Sequence, residues 1–418
     1  MQLYAIRLQL GGGLSLEQEL SLQKIFRHIK FGLGIRLATS RIGRIKSHMG
    51  NIAIFIPSIK SGGAEKQAVL LAEVLAGEHN VHFISFYGTS NASHSNMEML
   101  ENSTVSIYML HGSFWTKIKE LRRILINNSI DTVFNYLTYC DVIGCIVEKI
   151  SGVRNIYNGI RNSRLPIPKY IVEKYCSNFL ASKTIFNSYS GYEYFVNHGF
   201  RRDKGLVIPN CFYKIATPIR RVDREVKTII VIGRFVEQKD YLSAIRTVAK
   251  LRDVRSDFEF CIVGYGKLET QIRQWIKNYG IIDITRILIN PGNIPELLKN
   301  ADIYLSTSLF EGTSNSIMEA MNWSLPIVAT DVGDNYCLVS NHENGTLHKI
   351  GDIGAMVASL SALLDDVDLR IEYGMESNKR LEKYYSRQIF MANYTTVQRN
   401  YPIGSVDLNR NHSSDVLV

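Results

Sequence analysis

The stretch Ser306-Thr-Ser-Leu-Phe-Glu-Gly-Thr-Ser-Asn-Ser-Ile-Met-Glu-Ala-Met321 is the most informative part of this 418-residue sequence. It places Glu311 at the end of a predicted strand and predicts a turn over residues 312–316, followed by a helix whose early turns hold Glu319. A helix start with a glycine and small hydroxyl residues offers free backbone N–H groups and a positive dipole end, which suit a phosphate. Both carboxylates are therefore predicted to address one ligand that lies over this helix start.

Buried strands alternate with helix-length stretches on both sides of this segment. They are predicted at residues 51–57, 81–87, 105–109, 132–136, 155–157, 184–186 and 205–208, and again at 228–233, 258–264, 286–289, 303–306, 327–330 and 345–347. The polar stretch Tyr213–Lys227 interrupts the alternation and reads as a linker. The pattern predicts an α/β fold of two doubly wound, Rossmann-like domains that face a central cleft, with ligands at the carboxyl ends of parallel strands.

The predicted boundaries are an N-terminal extension over residues 1–48, a first domain over 49–215, a second domain over 216–385, and a C-terminal helix with a polar tail over 386–418. An apolar content of 45% excludes disorder for most of the chain. No apolar run reaches the roughly 20 residues that a bilayer span needs. The first ten residues make a poor secretory signal, and the scattered cysteines indicate a reducing compartment. We therefore expect a cytoplasmic protein.

The net charge of +9 is concentrated at the start of the chain. Residues 1–48 carry eight basic and two acidic side chains, so this arm holds six of the nine net charges. Within it, Leu16–Leu33 has the apolar periodicity of a basic amphipathic helix, which would suit an anionic membrane surface. An ordinary packing helix, or a passive extension, explains the same pattern. A nucleic-acid partner is not expected, because the excess charge lies on an arm rather than on the folded body.

Several further segments, together with Glu311 and Glu319, make the sequence similar to a known family. They are Val231-Ile-Gly-Arg-Phe-Val-Glu-Gln-Lys-Asp240, Phe260-Cys-Ile-Val-Gly-Tyr-Gly-Lys-Leu268, Trp323-Ser-Leu-Pro-Ile-Val-Ala-Thr-Asp-Val-Gly333 and, in the first domain, Pro57-Ser-Ile-Lys-Ser-Gly-Gly-Ala-Glu65. Over about residues 49–400 the chain resembles the retaining glycosyltransferases of family 4, the group 1 transferases with the two-domain GT-B fold. The Ser-Gly-Gly-Ala-Glu loop resembles bacterial enzymes that build surface polysaccharides on undecaprenyl diphosphate carriers.

The resemblance implies roles for individual residues. Arg234 and Lys239 would bind the donor diphosphate, where a guanidinium and an ammonium neutralise the charge that grows on the leaving group. Glu311 would hold hydroxyls of the transferred sugar, and Arg234, Lys239 and Glu311 form the predicted catalytic set. Glu319 would accept hydrogen bonds from the ribose. The remaining predicted donor-binding residues are Gly62, Gly63, Gly233, Gly264, Gly312, Thr313, Ser314, Asn315 and Ser316.

The sequence departs from the family pattern at three places and leaves the acceptor side open. Cys211 and Ser324 stand where the family usually has glycine, and Asp334 follows Gly333 where a second glycine is common, so the role of that loop stays unassigned. No catalytic histidine stands out, since His111 and His198 are candidates by position alone. Arg161 and Asn162, just after a predicted strand, are better acceptor-side candidates.

No metal site and no cofactor are predicted. Asp366-Val-Asp368 has a metal-like spacing, but helix capping explains it better, and the cations at Arg234 and Lys239 make a metal unnecessary for the leaving group. The expected activity is transfer of a sugar from a nucleotide-sugar, with UDP favoured, to a lipid-linked or growing glycan with retention of configuration. The expected setting is the biosynthesis of capsule or O-antigen at the inner face of the cytoplasmic membrane. The alternatives are a nucleotide-sugar epimerase or phosphorylase of the same fold, and a non-catalytic protein that only binds nucleotide or glycan.

Overall fold

The computed structural model describes residues 50–88, 92–161 and 165–398. The predicted basic arm over residues 1–48, Asn162 of the acceptor-side pair, and the predicted polar tail lie outside the described residues. Within the described chain, no helix is long and apolar enough to cross a membrane.

The first domain is built on a seven-stranded parallel sheet in the order β3-β2-β1-β4-β5-β6-β7. Its strands are β1 Asn51–Ile56, β2 Asn80–Ser85, β3 Ser106–Met109, β4 Thr132–Asn135, β5 Asn155–Ile160, β6 Lys183–Phe186 and β7 Gly205–Val207. The α-helices between them are Gly63–Leu75, His94–Glu101, Phe114–Asn127, Leu137–Ile150, Ile167–Tyr175 and Tyr189–Asn197, with a π-helix at Cys176–Leu180 and a 3-10 turn at Arg202–Lys204.

The second domain repeats the plan with a six-stranded parallel sheet in the order β10-β9-β8-β11-β12-β13. Its strands are β8 Lys227–Arg234, β9 Phe258–Tyr265, β10 Thr285–Ile289, β11 Ile303–Ser306, β12 Ile327–Thr330 and β13 Gly345–His348. Its helices are Tyr241–Arg252, Glu269–Asn278, Ile294–Asn300, Asn315–Asn322, Asn335–Leu338, Ile353–Asp365 and Val367–Tyr385, with a 3-10 turn at Glu237–Lys239. The predicted fold of two doubly wound α/β domains is confirmed.

Alternate side chains of each central strand enter different cores, which is why these strands read as continuous apolar runs. In β1, Ile52, Ile54 and Ile56 pack beneath the helix Gly63–Leu75. Ala53 and Phe55 face the opposite layer of helices. The same division separates Ile229 and Val231 from Ile230 and Ile232 in β8. Both faces of each sheet are therefore covered by helices. A ligand can reach a sheet only at the ends of its strands.

The end of the chain returns to the first domain. Helix Val367–Tyr385 buries Leu381 and Tyr385 in the core of the second domain. After Ser386, helix Arg387–Gln398 places Phe390, Tyr394 and Val397 in the core of the first domain, together with Tyr136 and Tyr157. The ring of Tyr394 lies 5.2 Å from that of Phe134, and Tyr157 donates a hydrogen bond to the Val397 carbonyl over 3.2 Å. The predicted C-terminal helix is thus an integral part of the first domain's core.

Candidate active site in the interdomain cleft

Three adjoining cavities lie where the carboxyl ends of the two sheets face each other. One of about 330 Å³ is formed by the second domain and is lined by Gly233, Arg234, Lys239, Gly264, Glu311, Thr313, Asn315, Ser316 and Glu319 among others. A second of about 480 Å³ adds the first domain through Gly63, Leu137, Arg161, Asn187, Ser188 and Asn210. A third of about 530 Å³ extends along Gly62, Lys66 and Glu319 towards Trp323. The structure therefore collects nearly all the predicted site residues in one cleft.

Lys239 and Glu311 form the central ion pair of the cleft. The Lys239 ammonium Nζ lies 2.5 Å from Glu311 Oε1, and the Ser308 hydroxyl donates to the same oxygen over 2.8 Å. The Gln238 amide donates to the Phe310 carbonyl over 2.8 Å and so anchors the segment before Glu311. Only 9% of the Glu311 side chain is exposed. Because a buried carboxylate needs such partners, Lys239 and Glu311, two of the three predicted catalytic residues, hold each other in place.

Glycines allow the backbone of the second domain to close around this pair. A Cβ at Gly264 would lie 1.9 Å from the Gly233 carbonyl oxygen, so the ends of β8 and β9 can approach only without side chains there. Gly333 has a φ of +56°, and a Cβ on it would lie 2.1 Å from the Glu311 carbonyl oxygen. The loop after β12 therefore packs directly on the backbone of Glu311, a contact that sequence reasoning left unassigned.

Glu311 lies within the loop that joins β11 to helix Asn315–Asn322. Strand β11 ends at Ser306, so Glu311 lies in the loop and not at the strand end. Helix Asn315–Asn322 starts without a side-chain hydrogen bond from its N-cap, Ser314. The Thr313 hydroxyl instead donates to the Asn187 carbonyl of the first domain over 2.8 Å. The side chain of Ser314 therefore does not compete with an anion for the first-turn N–H groups, and Asn315 and Ser316 of this turn line the first cavity.

Glu319 lies on this helix, within the electrostatic influence of two cations. Burial raises the pKa of its carboxyl, while the charges of Lys66 and Lys239 act in the opposite direction. Lys66 belongs to the first-domain helix Gly63–Leu75, and sequence reasoning missed it as a site residue. A Cβ on Gly63, at the start of that helix, would lie 3.2 Å from the Asn315 amide nitrogen of the second domain. Gly63 of the first domain therefore lies close to Asn315, which lines the predicted donor site.

Arg161 lies at the end of β5 and faces the second cavity. Its Nη2 donates to the Tyr394 hydroxyl over 3.0 Å, and its guanidinium carbon lies 4.5 Å from the centre of the Tyr136 ring. Its Nε and Nη1 are buried without a hydrogen-bond partner among the described residues. The two candidate histidines, His111 and His198, line none of the three cavities. Among the described residues, Arg161 is therefore the predicted acceptor-side residue that lines the cleft.

Asp334 joins the two domains across the cleft. Its carboxylate accepts hydrogen bonds from the backbone N–H groups of Tyr189, over 2.6 Å, and Ser190, over 2.8 Å. These groups open the first-domain helix Tyr189–Asn197, so Asp334 caps a helix of the other domain. Burial raises the pKa of this carboxyl, and the two backbone hydrogen bonds lower it. The departure from the common glycine at this position thus has a structural role.

The acidic pair near residue 366 is a helix cap, as predicted. Asp366 accepts a hydrogen bond from the Leu369 N–H over 2.9 Å at the start of helix Val367–Tyr385. Over residues 50–88, 92–161 and 165–398 there is no group of three or more His, Cys, Asp or Glu side chains that could hold a metal ion.

The fold and the cleft have the two-domain GT-B architecture, and comparison with solved structures agrees. HepE of Anabaena, solved in complex with UDP, superimposes with a TM-score of 0.70 at 17% identity, over 84% of this chain and all of that one. Residues 216–384 match the family described as glycosyl transferases group 1. The second domain is therefore a group 1 glycosyltransferase domain, and the resemblance to group 1 transferases of the GT-B fold is confirmed.

Two curated relatives come from Campylobacter jejuni and align over most of the chain. One is the GalNAc-alpha-(1->4)-GalNAc-alpha-(1->3)-diNAcBac-PP-undecaprenol alpha-1,4-N-acetyl-D-galactosaminyltransferase, which is 25% identical over 80% of this chain and 95% of its own length. The other is the N-acetylgalactosamine-N,N'-diacetylbacillosaminyl-diphospho-undecaprenol 4-alpha-N-acetylgalactosaminyltransferase, at 25% identity over 80% of this chain and 96% of its own. An Escherichia coli UDP-Gal:alpha-D-GlcNAc-diphosphoundecaprenol alpha-1,3-galactosyltransferase is 29% identical over 40% of this chain and 46% of its own.

Proposed function

We propose that this glycosyltransferase moves a sugar from a UDP-sugar to a lipid-linked or growing glycan, with retention of configuration, in bacterial surface-polysaccharide biosynthesis such as that of capsule or O-antigen. The observation that carries the proposal is the buried Lys239–Glu311 pair, in one cavity with Arg234 and Glu319. The names of the curated relatives support the acceptor class, and solved structures of the same fold with UDP and UDP-glucose support the donor class.

The residues of the cleft suit the departure of a nucleoside diphosphate. Arg234 and Lys239 would neutralise the charge that develops on the diphosphate, and the first turn of helix Asn315–Asn322 would add backbone N–H donors. Lys239 lines the same cavity as Glu311 and Glu319, so its ammonium would serve the diphosphate while Glu311 receives the sugar hydroxyls. Glu319, further along the helix, would accept from the ribose hydroxyls.

Arg161 is the group that we assign to the acceptor. Two of its guanidinium nitrogens are buried without a partner in the described chain, a costly state that a bound anion would relieve. It lines the same cavity as Arg234 and Glu311. A diphosphate that links a glycan to its lipid is an anion that a guanidinium fork binds well. We therefore place the diphosphate of the acceptor beside Arg161, and the protein at the cytoplasmic face of the membrane that holds such a lipid.

Incubation with a panel of UDP-sugars and a short-chain diphospholipid-linked glycan tests the proposal. We expect transfer from one donor, with an α-linkage in the product when the donor is an α-linked UDP-sugar, as read by NMR of the anomeric proton. We also propose that no metal is needed, because the cations of the cleft meet the diphosphate charge, so EDTA should leave turnover nearly intact. Donor binding without transfer would favour the non-catalytic alternative. Epimerised donor without acceptor use would favour the epimerase.

A further inference from the structure

Three helices form one continuous outer surface of the first domain. Helices Phe114–Asn127, Leu137–Ile150 and Ile167–Tyr175 pack side by side over one face of the sheet, and the π-helix Cys176–Leu180 continues the last of them. Their inner sides share a core that includes Leu121, Cys145 and Cys176. We call their outer side the helix-layer surface.

The charges of these helices are sorted by sign between the two sides. The three helices contain four acidic residues, and Asp141, Glu148 and Glu173 are completely buried. Glu120 is the fourth and is half-buried. All seven basic residues are exposed or half-buried, namely Lys117, Lys119, Arg122, Arg123, Lys149, Lys169 and Lys174. Because the carboxyl groups point inward, the helix-layer surface is strongly positive.

Large apolar side chains are interspersed with these cations. The most exposed are Trp115 at 71%, Ile150 at 68%, Ile167 at 75%, Ile171 at 59%, Tyr175 at 60% and Phe179 at 65%. Single exposed apolar residues are common, but a group on neighbouring helices marks an interaction surface. The Lys117 ammonium also lies 4.8 Å from the centre of the Phe86 ring and 5.1 Å from that of Tyr87.

We propose that the helix-layer surface docks the enzyme on an anionic lipid bilayer. Isoleucine, phenylalanine and tryptophan side chains insert at the boundary between headgroups and acyl chains, while lysine and arginine reach the anionic headgroups. A nucleic acid would match the positive charge, but it offers no apolar layer for Ile167, Ile171 and Phe179. An anionic bilayer matches both properties of the surface.

The surface begins at the edge of the sheet where the cleft opens. The helices start after β3, β4 and β5, so their first residues, including Trp115 and Ile167, lie near the carboxyl ends of these strands. Leu137 and Arg161 line the cleft at the same edge. This step rests on the proposed lipid-linked acceptor: docking here would present the cleft to a diphosphate at the headgroup level. The docking itself is measured without any activity.

Sedimentation of the full chain with vesicles tests the two properties of the surface separately. Wild type should bind vesicles of phosphatidylcholine with 30% phosphatidylglycerol, and binding should weaken as salt rises. The partition coefficient between vesicles and water should fall at least tenfold in each of two double variants. The first is Lys119→Glu with Arg122→Glu, and the second is Ile167→Ser with Ile171→Ser. The control is Val254→Ser with Ile282→Ser, two exposed apolar positions of the second domain, which should bind like wild type.

Quenching of tryptophan by brominated lipid locates the contact independently. Fluorescence of the wild type should fall on vesicles whose acyl chains carry bromine, and most of this quenching should vanish in Trp115→Phe but persist in Trp275→Phe. The proposal would be overturned if the surface variants bind vesicles like wild type, if the control variant loses as much binding, or if the quenching is unchanged in Trp115→Phe. Any of these results would point to residues 1–48 or to another surface as the membrane contact. A variant that loses vesicles but still transfers sugar to a soluble acceptor would leave the proposed function intact.

Discussion

Lys239 and Glu319 are the side chains whose loss should affect the donor most directly. Each carries a charge into the cavity that we assign to the nucleotide-sugar, and neither packs in a hydrophobic core. A hydrogen bond to a charged group contributes about 1.5–3 kcal/mol. The loss of either partner should therefore be visible in donor affinity, and not only in turnover.

Lys239→Ala and Glu319→Ala should each weaken UDP binding by roughly 10- to 150-fold, the factor that corresponds to one such hydrogen bond. Lys239→Ala also leaves Glu311 without its ammonium partner, so its effect should be the larger of the two. Titration calorimetry with UDP measures both. Lys250→Ala, an exposed lysine on helix Tyr241–Arg252, is the matched control and should bind UDP like wild type. Unchanged affinity in both site variants would contradict the assignment of the cavity.

The cap that Asp334 provides for helix Tyr189–Asn197 joins the two domains. The carboxylate satisfies two backbone N–H groups that open the helix, and Thr313 adds a hydroxyl bond to Asn187 nearby. The first-domain helix therefore completes its start with a side chain from the second domain. Its stability and the closure of the cleft are coupled.

Asp334→Ala should shift the free enzyme towards a more open cleft, because it removes both cap bonds while leaving each domain's core unchanged. Small-angle X-ray scattering should show a larger radius of gyration for the variant without ligand, and UDP should bring it back towards the wild-type value. Asp331→Ala removes an exposed carboxylate three residues away and should scatter like wild type. An Asp334→Ala radius equal to that of wild type would show that the cap does not hold the domains together.

The sequence predicted what local patterns determine and missed what distant contacts determine. The strands were foreseeable because residues such as Ile52–Ile56 and Thr228–Ile232 are apolar runs of strand length, and the glutamates because Glu311 and Glu319 flank one turn. The partners Lys66, Asp334 and Tyr394 come from remote parts of the chain and meet the site only after both domains fold. Local periodicity in the sequence does not predict such long-range contacts. The strand at residues 303–306 was predicted correctly, but Glu311 does not lie at its end, because the exposed residues Leu309 and Phe310 belong to the loop that follows.

The buried acids of the first domain connect the stability of the protein to pH. Burial raises the pKa of Asp141 to about 7 and that of Glu148 to about 8, although Asp141 accepts a bond from the Gly159 N–H and Glu148 one from the Asn135 amide. Burial also raises the pKa of Glu173, and the Asp141 charge raises it further. Unfolding returns these groups to their usual pKa values near 4. The folded state therefore binds more protons than the unfolded state between about pH 4 and pH 8.

The free energy of unfolding should consequently fall as the pH rises from about 5 to about 8, since these carboxyls ionise more easily in the unfolded chain. We expect the melting temperature at pH 8.5 to lie roughly 5 °C or more below that at pH 5.5. The double variant Asp141→Asn with Glu148→Gln keeps the side-chain oxygens that accept hydrogen bonds. In scanning calorimetry, its melting temperature should change less with pH than that of wild type. Asp253→Asn with Asp283→Asn changes two acids outside this cluster and should keep the wild-type slope. A slope unaffected by the first double variant would mean that other groups set it.

The return of helix Arg387–Gln398 to the first domain has a consequence for biosynthesis. Domains generally fold as units in the order in which the ribosome releases them. Here the first domain is released early, yet Phe390, Tyr394 and Val397 of its core are among the last described residues. Until these three residues leave the ribosome, Tyr136 and Tyr157 lack the side chains that pack against them, and Arg161 lacks the Tyr394 hydroxyl to which it donates a hydrogen bond. The half of the enzyme that is made first is thus completed last, and a nascent chain interrupted after Tyr385 would carry a finished second domain beside an unfinished first one.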